Sequence, residues 1–439
     1  MRLPVVEISG PDGLTEQPWF QDLQTSAAAG GKAADAVAAI IQDVRRHGDA
    51  AVVRHMREWT DPSFSAARIR VSADELAAAL RTLDPELRRA LETAIDHVRR
   101  YQEHIRPCDP APITIDGAEL GLRFTPVDSV GLAVPGGKAA YPSSVVMLAV
   151  PAQAAGVPAD RISVVTPPPT RLGDVPPADV SPLVLAACAL VGVERVYRIG
   201  GAQAIAALAF GTESIQPVDM IVGPGNIYTQ LAKQQVAGRV GIDGFYGPSE
   251  IVTIADDTAE AARVASDLIA QAEHDPGRCM LIAWQRDVID GVNDQIEAQL
   301  AQRRRRATIE SSLGKWSAAV LVPDEAAAAA VANAIAAEHV HLAVADPQAW
   351  LPRVRHGGEI FLGDQTPVAA GDYLAGPSHC LPTATTARFT SGVSTYTFLK
   401  RTGTVRYPDG VPPESIEAIA RLAEAEGLDG HAASVRSRL

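Results

Sequence analysis

Residues Arg195–Val236 read RVYRIGGAQAIAALAFGTESIQPVDMIVGPGNIYTQLAKQQV. An apolar run, Arg195–Ile199, meets Gly200-Gly201 and gives way to an alanine-rich helix, Ala202–Phe210. The order then repeats: a strand over Asp219–Val222, the turn Gly223-Pro224-Gly225-Asn226, and a helix over Ile227–Val236. Short apolar runs bounded by glycine read as buried strands, and a helix between two of them makes the pairing parallel. Upstream, Val130–Pro135 is a strand before Gly136-Gly137, Ser143–Ala155 a helix, Ile162–Thr166 a strand and Asp179–Val191 a helix. Strand then helix occurs four times, three of them through a glycine turn, which predicts a doubly wound parallel sheet. Such sheets bind ligands at the carboxyl ends of their strands, where helix N-termini face anions. The G-x-G of the 223–225 turn has no third glycine, so the pattern gives a Rossmann-like domain without naming a dinucleotide.

A second alternation follows from Glu250. Strands are expected over Ile251–Ala255, Cys279–Trp284, Ala318–Val322, His341–Ala345 and Glu359–Leu362. One helix is expected from Asp257 to about His274 and another over Glu325–Ala337. Before the first alternation, Met1–Gln24 is an arm with little pattern, followed by helices over Lys32–Trp59, Ala73–Leu83 and Pro85–Ile105. Ser72 stands three residues before Glu75, the spacing of a capping box. Beyond Lys400 a short β-like stretch precedes an amphipathic helix with Ile416, Ile419, Leu422 and Ala423 on one side, ended by Gly427.

The 439 residues, 47% of them hydrophobic, are enough for more than one core. A net charge of -13 argues against nucleic-acid binding. The four cysteines form no C-x-x-C pair and suggest a reducing compartment. No apolar run reaches ~18 residues, and Met1–Gly13 has no apolar signal core. A soluble, cytoplasmic protein without membrane contact is expected.

Three stretches carry chemistry. In Val368–Lys400, Asp372, His379 and Cys380 stand among Gly371, Gly376, Pro377 and Pro382, which shape a loop rather than a helix. Gln271 and His274 lie three apart near a helix end and share a face, where an imidazole and an amide oxygen can meet a metal. Asp372, His379 and His431 are candidates to complete the shell. Glu338-His339 closes a helix with a carboxylate against its dipole, beside an imidazole suited to proton transfer. Glu426 repeats that oddity before Gly427. Taken singly, each pair reads as an ordinary helix end or surface dipeptide.

Together the pieces resemble the histidinol dehydrogenase family. VGLAVPGG, YPSSVVMLAVPAQAAGV, IGGAQAIAALAFGT, VGPGN, YGPSEIV, QAEHD, AEH, AGDYLAGPSHCLPT, ARFTSG and AEGLDGH match that family's blocks in order over nearly the whole chain. The resemblance implies an α/β fold of two Rossmann-like parallel-sheet domains in an intertwined homodimer. Residues 1–25 would form the arm, and 26–131 with 249–390 a discontinuous domain carrying metal and acid/base residues. Residues 132–248 would bind NAD, and 391–439 would form a helical tail reaching the partner. It implies zinc- and NAD-dependent oxidation of L-histidinol to L-histidine through the aldehyde. Gln271, His274, Asp372 and His431 would hold the zinc, with His431 supplied by the partner. Ser249, His379 and a partner-supplied Glu426 would contact substrate together with the metal ligands and His339. Glu338 and His339 would be the acid/base pair, and Gln203, Asn226 and position 133 would meet NAD.

Three positions depart from the pattern. Ala133 replaces a common Tyr and removes a stacking surface. Ala337 replaces the Pro before Glu-His, and His341 stands where Glu is usual. Two other readings compete: a related zinc/NAD dehydrogenase of another polar alcohol such as a dihydroxypropane sulfonate, and a zinc hydrolase.

Overall fold

The strands Val130–Ala133, Ile162–Val165 and Met220–Val222 are buried at every position. Strands without a polar face must be covered on both sides, and here helices supply both covers. The computed structural model describes residues 1–25, 31–136, 140–169 and 179–439. Gly137 of the first glycine turn and the 26–30 opening of the expected 26–131 segment lie outside the described residues.

Five parallel strands run in the order Arg195–Tyr197, Ile162–Val165, Val130–Ala133, Met220–Val222, Gly241–Ile242. The strand that comes first in the chain is therefore central, and the order reverses between Val130–Ala133 and Met220–Val222. That reversal opens the crevice where doubly wound sheets bind ligands. Helices Lys32–Trp59, Gly201–Phe210 and Ile227–Val236 share one core with this sheet. Helices Ala73–Thr82, Pro85–His104, Pro142–Ala155 and Pro182–Leu190 share the other. The capping box of Ser72 and Glu75 is formed. Inside Lys32–Trp59, Gly48 breaks the helical path at φ 50 and ψ -132. The Glu213 carboxylate occupies the space a Cβ there would need, 2.3 Å away.

The expected division of the chain is corrected here. The N-terminal helices were expected with the metal-carrying sheet, but their apolar faces match the five-stranded sheet's helices and pack there. The boundary at 131/132 also cuts through the central strand Val130–Ala133.

The second sheet is six-stranded and parallel: Val5–Glu7, Ala318–Leu321, Gly277–Ala283, Ser249–Ala255, His339–Ala343, Glu359–Leu362. Its last five strands repeat the first sheet's order. The N-terminal arm supplies the extra edge strand, a pairing its sequence did not announce. Helices Ala261–Ala272, Arg286–Leu300 and Arg306–Lys315 cover one face, and Glu325–Ile335 with Pro18–Thr25 the other. The strand expected at His341–Ala345 begins two residues earlier, at His339.

A third, antiparallel sheet of Leu399–Arg406, Ala118–Pro126 and Ile113–Ile115 leads to helices Pro413–Ala425 and Asp429–Arg436. These two helices share a small core of Ile416, Ala420, Ala423, Ala432 and Val435. Of the apolar side expected on the first, Ile416 and Ala423 are covered, whereas Ile419 is 41% and Leu422 67% exposed. Among the described residues no helix is long and apolar enough to cross a membrane.

Candidate active site

The candidate residues gather at the amino edge of the six-stranded sheet. Ser249 and His339 are the first residues of adjacent parallel strands. Glu338 precedes the strand rather than ending a helix, because helix Glu325–Ile335 stops early and Ala336 turns through φ 49. The cost of a carboxylate against a helix dipole therefore does not arise. Pairing holds the dipeptide's backbone instead: Gly358 N donates to Ala337 O at 3.1 Å and Glu359 N to Glu338 O at 2.9 Å. Ala337 thus sits in a ladder that needs no proline.

Glu338 is buried, and its Oε2 accepts from the Ser249 hydroxyl at 2.5 Å and from Glu250 N at 2.8 Å. Burial raises its pKa, with the donors and His339 opposing. The same hydroxyl accepts from the Gln271 amide at 2.5 Å. The amide nitrogen is thereby engaged, and the amide oxygen, the atom able to ligate a cation, has no hydrogen bond among the described residues. Gln271 lies inside helix Ala261–Ala272, but His274 lies just past its end, so the two meet across a turn. Burial lowers the His274 pKa and favours the neutral imidazole a metal requires.

His339 Nδ1 donates to Glu250 O at 2.9 Å. That directs Nε2 outward, 3.7 Å from Asp372 Oδ1 and without a hydrogen bond although buried. Burial lowers the His339 pKa, but Glu338 and Asp372 outweigh it and push it up to about 9. Burial raises the Asp372 pKa, but His339, His379 and His274 outweigh that and hold it below the usual value. His379 Nδ1 donates to Asp372 O at 2.9 Å, and the Ser144 hydroxyl meets Nε2 at 3.1 Å. Burial lowers its pKa, consistent with a neutral ring that donates on one side and accepts on the other. Ser144 lies in the first turn of helix Pro142–Ala155, so this bond joins the five-stranded sheet's crevice to the site.

The histidinol dehydrogenase family model matches residues 23–439. The chain belongs to the histidinol dehydrogenase family. A histidinol dehydrogenase from Cereibacter sphaeroides is 46% identical over 92% of this chain and 91% of its own length. One from Rhizobium meliloti is also 46% identical, over 92% and 91%. The crystal structure of histidinol dehydrogenase from Elizabethkingia anophelis matches with a TM-score of 0.89 at 31% identity, covering 99% of this chain and 98% of that one.

Of the residues the family pattern singles out, six converge through hydrogen bonds or close charges: Ser249, Gln271, Glu338, His339, Asp372 and His379. His274 is within electrostatic reach of Asp372. Glu426 and His431 do not join them in this chain; both are exposed on the terminal helices. Among the described residues no three His, Cys, Asp or Glu side chains lie close enough together to hold a metal. His274, Asp372 and the Gln271 amide are N and O donors of the kind that suit a divalent ion.

The three residues expected to meet the cofactor are placed differently from one another. Gln203 is 4% exposed, and its amide donates to Met56 Sδ at 3.6 Å, turned into the core. Ala133 is 5% exposed in the same core, so its side chain is not at a stacking position. Asn226 caps helix Ile227–Val236 by accepting from Thr229 N at 3.1 Å, and stands exposed at the crevice. Tyr228 beside it is 45% exposed, an aromatic surface the sequence reading passed over. Gly223 at the crevice is fixed as glycine by internal packing: at φ 112 a Cβ would collide with Ala133 O. Glu359 was also missed. It pairs in register with His339, and burial pushes its carboxyl up to about 7.

Proposed function

We propose that this chain oxidises L-histidinol to L-histidine through the aldehyde, as the last step of histidine biosynthesis in the cytoplasm, with zinc and two NAD per turnover. The convergence of six family-pattern residues from four separated segments on one cluster carries the reading. When bound, the metal supplies a template for the substrate's amine and imidazole, and NAD supplies the hydride acceptor.

Gln271, His274 and Asp372 would hold the metal from one protomer, and His431 of the partner subunit would be the further ligand. The exposed apolar side of the terminal helices supports a tail that docks on a second copy. Glu426 of the partner subunit reaches the same pocket. Ser249 and His379 orient the substrate, and Asn226 contacts the cofactor at the crevice.

His339 Nε2 takes the carbinol proton, its ring fixed by the Glu250 carbonyl behind it. Glu338 and Asp372 both favour a proton on His339, and a cation held by Asp372 would lessen the share that Asp372 contributes. Glu338 serves the second oxidation by drawing a proton from the water that hydrates the aldehyde. Its burial supplies the raised basicity this needs. Ser249 links Gln271 to Glu338, so the metal-side amide and the base share one hydroxyl.

The test is the ratio of NADH to histidine formed from L-histidinol, read with metal content. About two NADH per histidine is expected. Product without NADH would signify hydrolysis, and no product with L-histidinol but turnover of a sulfonated diol would reassign the substrate.

A further inference from the structure

The crevice of the five-stranded sheet rests on a buried ion pair that no step above uses. The side chains of Lys233, on helix Ile227–Val236, and Asp243, just after strand Gly241–Ile242, are both 0% exposed, and Lys233 Nζ lies 2.5 Å from Asp243 Oδ1. Each partner also grips the same residue. Lys233 Nζ donates to Gly223 O at 2.9 Å, and Gly223 N donates to Asp243 Oδ2 at 2.6 Å. Gly223 opens the turn at the sheet's reversal point. It can only be glycine, because φ is 112 and a Cβ would strike Ala133 O. Both polar groups of its backbone are thus fixed by full charges.

The grip continues toward the substrate side. The Tyr246 hydroxyl donates to Asp243 Oδ2 at 2.8 Å, and its ring lies 4.6 Å from Lys233 Nζ. Burial holds that phenol well above its ordinary pKa, so it remains a donor. Gln230 Oε1 accepts from Tyr246 N at 3.1 Å, and Gly247 N donates to Thr383 Oγ1 at 2.5 Å. Ser249 follows two residues later, and Thr383 stands four residues after His379.

We propose that Lys233 and Asp243, seated on Tyr246, are positioning residues that hold the Gly223 turn in its cofactor-accepting shape and at a fixed distance from Ser249. A buried ion pair is a poor source of net stability, since desolvation offsets much of the attraction. Its use here is geometric: each charge holds one side of a single peptide turn. The inference rests on the NAD reading above. The Ser249 side chain has its own anchors in Glu338 and Gln271, so substrate binding without cofactor does not depend on the pair.

The experiment compares metal-loaded wild type with the double variant Lys233→Met/Asp243→Asn, which removes both charges and keeps an acceptor for Gly223 N. NAD affinity is read by equilibrium fluorescence titration, L-histidinol affinity without NAD by calorimetry, and metal content by elemental analysis. NAD binding is expected to weaken about tenfold and kcat to fall, with L-histidinol affinity and metal within about twofold. NAD affinity equal to wild type in the folded variant overturns the proposal. Wild type that binds no NAD at all would instead overturn the functional reading. Should the double variant fail to fold, Tyr246→Phe decides. It keeps the ion pair and removes one donor, so NAD should weaken about threefold, and no change overturns the proposal.

Discussion

Glu250 gives the most direct test of the electrostatics around the site. It is 0% exposed, directly follows Ser249, and its backbone serves both Glu338 and His339. One carboxyl oxygen accepts from Ala384 N at 2.8 Å, and the other is buried without a partner. Burial pushes its pKa from 4.5 up to about 8; Glu338 adds to the rise, while Ala384 N and Arg278 oppose it. A carboxyl whose folded pKa is raised binds its proton more tightly folded than unfolded. Its contribution is therefore fully present below the unfolded pKa near 4.5 and lost as pH rises through about 8. At 1.36 kcal/mol per unit, the folded state loses on the order of 3 kcal/mol from this group between about pH 5 and pH 8. Glu250→Gln keeps an acceptor for Ala384 N and cannot titrate. Guanidinium unfolding at fixed protein concentration, from about pH 5 to pH 8, should show a loss on the order of 3 kcal/mol smaller in the variant than in wild type. Glu359, also raised, titrates in the two proteins alike and cancels, while the repulsion between Glu250 and Glu338 is lost in the variant and falls within the same difference. Parallel stability curves would show that the carboxyl is already ionised when folded and would refute the reasoning.

His339→Asn should lower turnover by about 10²- to 10⁴-fold with bound metal unchanged, measured by NADH production and elemental analysis; near-normal turnover would remove it as the base. His431→Ala should weaken metal retention against a chelator. Verified mixed dimers with His339→Asn should regain partial activity, because one site then has an intact body and an intact borrowed tail; no rescue would assign each tail to its own subunit. Ala133→Tyr should not tighten NAD binding and should cost about 1–3 kcal/mol by overpacking, read by denaturation; tighter binding in a fully stable variant would place that side chain in the crevice.

The two parallel sheets were legible because period and punctuation agree: buried β-branched runs, glycine turns and alanine-rich helices leave few other readings. Three elements escaped for identifiable reasons. Val5–Glu7 is too short for a period to show, and its pairing with Ala318–Leu321 is decided by tertiary contact. Short β-like stretches after Pro107 and beyond Lys400 were expected, but not their antiparallel pairing, because exposed Ile113, Ile115 and Val405 leave no alternation of buried and polar residues to mark a shared face. The assignment of the N-terminal helices failed because an amphipathic helix announces that it has a partner, not which sheet that partner lies on.

The site was legible in composition but not in placement. Glu338-His339 was recognised as a chemical pair, yet a two-residue error in the strand start put it on a helix end. The correction changes the physics. On a helix terminus Glu338 would be held against a dipole in solvent; before the strand it is buried, with Ser249 and Glu250 as donors and His339 beside it. Parallel pairing sets His339 against Glu359 on one side and Ile251 on the other, so the imidazole's environment comes from residues 20 positions downstream and 88 upstream. Such partners leave no local mark, which is why Glu359, Glu250 and the Lys233–Asp243 pair emerged only from the fold. The active ring is thus specified by the register of three strands, and a substitution that slips any one of them should disable the base while leaving every candidate residue in the sequence.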